Sequence, residues 1–234
     1  MEVERPVGTV PRGRLWGWLA LVGGIAALNY ASRFVDDEGA DTGEALYEYS
    51  TAVGGAVFYA ILLGIVLVLV RGLDRREVLA LRRPRSWGSA LLATGAALAA
   101  IWVANAVLTL VFDLRAGEEQ GIVPDRWDPD RAGAYVANFL VIALVGPTVE
   151  ELTYRGFGQS AIAGVAGGTV AIVVTALLFG LAHGLVEGLA ALSIFGLAAA
   201  WLRARTDSLY PSVALHMLFN GLALILAVTV ETEL

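Results

Sequence analysis

The sequence predicts an all-α protein, a polytopic bundle of about seven membrane-spanning helices without a soluble domain. Hydrophobic residues make up 57% of the 234 positions, and the mean hydropathy is +0.69. This is more apolar material than one water-soluble core of this size would bury. Seven apolar segments each approach the ~20 residues that cross a hydrocarbon core, near 15–32, 51–70, 88–112, 133–161, 168–184, 186–202 and 209–230.

The segments that connect these helices separate into two classes by charge. Residues 1–14, 71–87 and 203–208 hold 11 Arg and 5 acidic residues, whereas 33–50, 113–132 and 231–234 hold 4 Arg and 14 acidic residues. By the positive-inside rule the Arg-rich class lies in the cytoplasm, together with the N-terminus. An odd number of spans then places the C-terminus outside, so we expect a multi-pass protein of the cell membrane.

Composition also limits the partners and the chemistry. The chain contains no Cys, which excludes disulfides, thiolate catalysis and Cys-ligated metal. The net charge of −6 argues against nucleic acid as a partner. The long apolar segments predict the lipid bilayer as a partner. We divide the chain into an N-terminal part, 1–132, with three helices and polar loops, and a helical core, 133–230.

Two carboxylates and a guanidinium interrupt the fourth apolar segment, at Glu150, Glu151 and Arg155. Such a residue at the centre of a span costs about 2.5–3.5 kcal/mol on insertion scales, so it usually faces the protein interior and marks a functional path. Glu151 and Arg155 are four residues apart and can pair on one helix face. Glu150 points about 100° away and is the freer carboxylate. Pro147 removes a backbone hydrogen bond to the carbonyl of Ala143 and predicts a kink beside the carboxylates.

The two histidines of the chain lie on later segments, each four residues from a second polar or aromatic side chain. Phe179 precedes His183, and His216 precedes Asn220. Residues four apart lie on one face of a helix, so each pair can face a common neighbour. Three spans therefore carry polar groups that can meet at one place inside the bundle.

Each feature also has a purely structural interpretation. Glu151 with Arg155 can be an ion pair that fixes packing, and His216 with Asn220 can join helices by hydrogen bonds. His183 alone is typical of a hydrogen-bonded core residue. The conjunction of all three favours a functional site. It also leaves two other functions open, a proton or cation pathway that uses the same Glu and His residues as relays, and a membrane scaffold without catalysis.

Three motifs in order resemble those of one protein family. They are Glu150-Glu151-x-x-x-Arg155, then Phe179-x-x-x-His183, then His216-x-x-x-Asn220. Together they are similar to the motifs of the CPBP family, which comprises the CAAX prenyl endopeptidases and their prokaryotic relatives, also called the Abi family. The resemblance covers about residues 133–225 and implies an intramembrane endopeptidase.

The resemblance also implies a role for each motif residue. Glu150 would activate a water for attack on a peptide carbonyl, and His183 would position or polarise that water. Arg155 would hold Glu151, which helps to orient the site. His216 and Asn220 would stabilise the tetrahedral oxyanion. The expected partner is a peptide or protein substrate, either lipidated or not.

Metal dependence stays open at this stage. Members of the family are commonly labelled metalloproteases, and Glu150, Glu151, His183 and His216 are the candidate ligands for a divalent ion such as Zn²⁺. A catalytic zinc site needs three protein ligands and one open position, which these residue types can supply. The His-Glu-x-x-His pattern of many zinc proteases is absent. The sequence therefore does not decide between a metal-bound water and a water activated by Glu and His.

Overall fold

The chain is an all-α bundle, which confirms the predicted fold class. The computed structural model describes residues 10–34, 42–114, 119 and 127–229. In these residues eight α-helices and no strand are present. They are α1 Arg12–Ser32, α2 Tyr49–Leu69, α3 Arg75–Val78, α4 Trp87–Phe112, α5 132–166, α6 Gly168–Ala182, α7 Gly188–Thr206 and α8 Tyr210–Thr229.

The predicted apolar segments correspond to α1, α2 and α4 to α8. Six of these seven helices in the described part of the chain are long and apolar enough to cross a membrane. The exception, α6, has 15 residues and is therefore only about 22 Å long. The chain is thus a multi-pass membrane protein. Residues 1–9 and 230–234, which carry part of the predicted charge asymmetry, lie outside the described residues.

Large apolar side chains cover the outer faces of the bundle. On α4, for example, Leu92 is 78% exposed and Leu110 is 84% exposed. In water such a surface would promote aggregation, but in a bilayer the lipid tails solvate it. The inward faces carry smaller and polar residues such as Ala97 and Thr94. Hydropathy alone could not indicate which face of these helices points inward.

The described parts of the Arg-rich segments make contacts with neighbouring helix ends and turns. Arg14 donates to the carbonyl of Leu69, Arg82 pairs with Asp207, and the N–H of Leu209 donates to the carbonyl of Ala80. The first bond joins the start of α1 to the end of α2. The other two join the segment between α3 and α4 to the turn between α7 and α8. Helices α1 and α2 consequently run antiparallel.

The central helix, α5, is regular only in parts. Two π-helical segments, Val141–Val145 and Leu152–Gly158, flank the short α-helical piece Gly146–Glu151. A π turn bonds i to i+5 and frees backbone groups for other partners. The carbonyl of Thr153 accepts a hydrogen bond of 2.9 Å from the indole of Trp18 on α1. Non-ideal backbone is therefore present on both sides of the carboxylates, in the form of π turns near the position where Pro147 predicted a kink.

Helices α6 and α7 pack with their backbones in contact. A Cβ added at Gly196 of α7 would lie 2.8 Å from the Cα of Ala176 on α6. Small residues permit this approach, which in membranes supplies much of the packing energy between helices. The approach brings the carbonyl of Gly196 within reach of α5.

We expect Gly158→Ala to destabilise the bundle by about 1–3 kcal/mol, because an added methyl overpacks a tight contact. The new Cβ would lie 2.2 Å from the Trp18 ring, which is fully buried. The measurement is the free energy of unfolding in detergent. Gly164→Ala on the same helix is the control, because nothing lies within 4 Å of its Cβ. Equal destabilisation by the two substitutions would contradict the packing argument.

Candidate active site

A cavity of about 300 Å³ lies between six of the helices. Four of the predicted site residues line its wall: Glu150 of α5, His183 in the loop after α6, and His216 and Asn220 of α8. The remaining wall is mainly apolar and aromatic. It includes Ile25, Phe58, Leu62, Ile142, Phe179, Leu192, Phe195 and Phe219. The site residues that we predicted on separate spans thus converge on one cavity, with two of the six held behind it.

Glu150 is the carboxylate that faces the cavity. Its side chain is 15% exposed, and its Oε1 accepts a hydrogen bond of 2.7 Å from the hydroxyl of Tyr59 on α2. Its Oε2 lies 3.9 Å from Nε2 of His216, which is too long for a direct hydrogen bond. One carboxylate oxygen is therefore held and the other is available.

Glu151 and Arg155 form a fully buried ion pair behind the cavity wall. Arg155 Nη1 donates to Glu151 Oε1 at 3.0 Å, and both side chains are 0% exposed. Arg155 Nη2 also donates to the carbonyl of Gly196 at 3.2 Å. The guanidinium lies 4.4 Å above the centre of the Phe179 ring, a cation–π contact that partly replaces its lost hydration. Neither member of the pair lines the cavity.

His216 connects this pair to the cavity. Its Nδ1 lies 2.9 Å from Glu151 Oε1, and because the carboxylate accepts, Nδ1 carries the hydrogen. Nε2 is then the ring atom directed toward Glu150. A carboxylate behind a histidine fixes the orientation and tautomer of the ring, as in many catalytic sites.

His183 is held in a comparable way by the backbone. Its Nδ1 donates to the carbonyl of Phe179 at 2.7 Å, one turn earlier, as their spacing allows. Its ring lies against the Phe179 ring, with centroids 4.6 Å apart. Nε2 is consequently free of the proton in the neutral ring and can accept a hydrogen bond inside the cavity.

Asn220 faces α5 together with His216. Its Nδ2 donates to the carbonyl of Ile142 at 3.0 Å, within the first π segment of α5. An amide nitrogen carries two hydrogens, so one N–H of Asn220 remains for a ligand in the cavity. The predicted pairing of His216 and Asn220 on one helix face is what the structure shows.

The comparison with protein families identifies this region. Residues 132–222, well under half of the chain, match the family model described as Type II CAAX prenyl endopeptidase Rce1-like. The match supports the predicted resemblance of this segment to the CPBP protease family. The match contains all six predicted site residues, while α1 to α4 lie outside it. No curated protein and no solved structure matches the chain significantly.

The four candidate metal ligands do not form a three-ligand set. Within the described ranges, no group of three His, Asp or Glu residues is placed to hold a metal ion. Glu151 Oε1 already accepts from Arg155 and His216, which removes it from the cavity wall. A catalytic zinc site requires three ligands around one point. This arrangement does not fit such a site, and we assign no chemical step to a metal.

Two polar residues of the cavity wall come from helices that the sequence motifs did not indicate. Tyr59 on α2 bonds Glu150 directly, and Asn29 on α1 donates to the carbonyl of Ala182 at 2.6 Å. Each is a polar side chain in an apolar span, which is the signal that could have found them. Without a partner at a recognisable spacing, that signal could not be assigned to the site.

The loop that carries His183 is anchored from three directions. Gly184 adopts φ +69° and packs against the backbone of Asn29. Tyr30 donates to the carbonyl of Leu185. Glu119 accepts from the N–H groups of Val186 and Gly188, at 2.7 and 2.9 Å. These bonds satisfy backbone groups at the end of α6 and the start of α7, so they fix the position of the imidazole.

Glu119 also pairs with Arg33 at 2.7 Å and is 11% exposed. Burial alone would raise the pKa of Glu119, but the hydrogen bonds from Val186, Gly188 and Arg33 outweigh it and hold the pKa below its ordinary value. A carboxyl with a lowered pKa in the folded state stabilises the protein above its unfolded pKa. That stabilisation is lost as the pH falls.

We expect Glu119→Gln to lower the melting temperature at neutral pH, because the charged acceptor of the loop is removed. The difference from wild type should shrink as the pH falls below the ordinary carboxyl pKa of 4.5, where wild-type Glu119 is itself progressively protonated. Thermal unfolding in detergent across this range is the measurement. A difference that stays constant with pH would contradict the proposed charge dependence.

We expect Arg155→Met to destabilise the bundle by about 3–5 kcal/mol, because it leaves the Glu151 charge buried without its cation. Arg82→Met is the control. It breaks an ion pair with Asp207 whose side chains are 38% and 52% exposed, so its cost should stay below about 1 kcal/mol. The free energy of unfolding in detergent compares the two. Similar costs would refute the assignment of Arg155 as a buried charge partner.

Proposed function

We propose that this chain is an intramembrane endopeptidase in which Glu150 and the two histidines activate a water for peptide hydrolysis. The observation that carries the proposal is the convergence of one available carboxylate oxygen, two oriented imidazoles and an amide on one cavity. The match to a protease family supports a peptide or protein substrate. The hydrogen-bond partners of these residues support the role that we propose for each.

Glu150 is the general base. Its Oε2 takes a proton from the water while the water oxygen attacks the carbonyl carbon of the peptide. The same proton then passes to the leaving amine as the C–N bond breaks, so the base is restored. A positioned carboxylate in this role contributes typically 10²–10⁴-fold to the rate.

His183 positions the water. Because its Nδ1–H is bonded to the carbonyl of Phe179, its Nε2 can accept the second hydrogen of the water. The water then presents a lone pair to the substrate, while Glu150 receives the other hydrogen. The aromatic contact with Phe179 restricts the ring to this direction.

His216 and Asn220 stabilise the oxyanion of the tetrahedral intermediate. The free N–H of Asn220 and, in the imidazolium form, the Nε2–H of His216 are donors aimed from one helix face. Donors held in advance inside a low-dielectric site are often the largest single contribution to catalysis. Glu151 supports the imidazolium form, and Arg155 balances the charge of Glu151.

The cavity wall favours an apolar segment of substrate next to the scissile bond. Aromatic rings of Phe58, Phe195 and Phe219 face the same space as the polar groups. A volume of about 300 Å³ suits a short stretch of extended peptide.

We propose the segment 133–230 as the catalytic core, with an N-terminus in the cytoplasm and a C-terminus outside.

We expect Glu150→Gln to reduce peptide hydrolysis by purified protein in detergent by at least about 10³-fold, since an amide cannot accept the proton. The assay uses a library of prenylated and unprenylated peptides, so it also reports whether lipidation is required. Thr148→Ala is the control. Its hydroxyl bonds only to the carbonyl of Leu144 in its own helix, and its activity should remain near wild type.

The same variants test the alternative of a proton or cation pathway. A series of neighbouring ionisable side chains runs through the bundle, consisting of Arg155, Glu151, His216 and Glu150. Such a series inside a membrane is also typical of proton relays. Flux into proteoliposomes that depends on Glu150, without any peptide hydrolysis, would replace the protease assignment. Hydrolysis that survives intact in Glu150→Gln would refute the proposed base.

A further inference from the structure

Tyr59 is the one residue outside the matched family segment that bonds a motif residue of the cavity, among the residues that the structure describes. We infer that Tyr59 is a positioning residue for Glu150, whose Oε1 it holds so that Oε2 points into the cavity. The inference rests on the proposed function of Glu150 as a base. Three observations on different helices support it.

The first observation is the hydrogen bond itself. The Tyr59 hydroxyl donates to Glu150 Oε1 at 2.7 Å, a length typical of strong bonds to an ionised oxygen. The last torsion of a Glu side chain has broad minima and does not choose an orientation of the carboxylate. A donor on one oxygen removes that freedom. The rigid Tyr ring sits on α2, so the constraint comes from a separate element.

The second observation is the space that α5 leaves for this ring. Gly146 lies one turn before Glu150, and a Cβ there would lie 2.7 Å from the Tyr59 hydroxyl oxygen and 2.8 Å from Cζ. Any side chain at position 146 would therefore push the ring away from the carboxylate. Gly146 on α5 therefore leaves the space that the Tyr59 hydroxyl on α2 occupies when it bonds Glu150.

The third observation is the division of the two carboxylate oxygens. Oε1 is bound to Tyr59, whereas Oε2 lies 3.9 Å from His216 Nε2. Tyr154, which also lines the cavity, packs edge-on against Trp18 and Phe179 instead. Tyr59 thus determines which oxygen is presented to the water, and it brings α2 into the catalytic apparatus.

Tyr59→Phe tests the inference directly, because it keeps the ring and removes only the donor. We expect kcat to fall about 10- to 100-fold, the effect of one lost hydrogen bond to a charged group, while KM stays within about twofold. Tyr135→Phe is the control. It removes another buried hydroxyl, bonded at 2.6 Å to the carbonyl of Leu224, and Tyr135 does not line the cavity.

Gly146→Ala provides an independent route to the same contact. Its kcat should fall by a similar factor, and the double variant with Tyr59→Phe should be no slower than the slower single variant. Such non-additivity is expected when two substitutions break one interaction. Losses in kcat that multiply would show that the two residues act separately and would overturn the inference.

A readout without turnover distinguishes this inference from the proposed function. A hydrophobic carbodiimide labels accessible carboxyl groups, and mass spectrometry measures the modification of Glu150. We expect faster labelling of Glu150 in Tyr59→Phe than in wild type, with Tyr135→Phe unchanged. Equal labelling, or full kcat in Tyr59→Phe when Glu150→Gln is inactive, overturns the positioning role. Activity that does not depend on Glu150 overturns the proposed function instead.

Discussion

The buried chain of contacts from Arg155 through Glu151 to His216 is the interaction on which the site depends. Its three side chains come from α5 and α8 and are almost completely excluded from solvent. In a bilayer each such group must find its partner within the protein, because no water is available to replace it. The ion pair holds Glu151 in place on α5, and the hydrogen bond from His216 to Glu151 then fixes α8 against α5. An oriented imidazole at the cavity wall is the result.

Aromatic packing supports this chain from the side. Phe179 touches the Arg155 guanidinium on α5 and both histidine rings, and Phe195 stacks near His216. The rings exclude water from behind the cavity and limit the rotamers of the polar residues. The phenylalanine of the Phe-x-x-x-His motif is thus a packing centre that aligns charged groups on three helices.

Much of this architecture could be predicted from the sequence, for reasons that particular residues make clear. Two of the segments that the charge count placed on one side do meet, since Arg82 pairs with Asp207. The spacing of Glu151 and Arg155 predicted their pairing, since four residues span one helical turn. Tyr59 could not be assigned to the site from the sequence, because a contact between α2 and α5 does not produce a regular spacing of residues. The two π segments were also beyond prediction, since Pro147 indicated irregularity without its form.

The short helix α6 has a consequence for access to the site. It has 15 residues, whereas each of the other six spans has at least 19, and it ends directly before His183. A span that is shorter than its neighbours presents a shorter apolar surface to the lipid, and bilayers thin locally to match it. Under the proposed function, water and a peptide substrate would cross less hydrocarbon beside α6 than beside one of the longer spans.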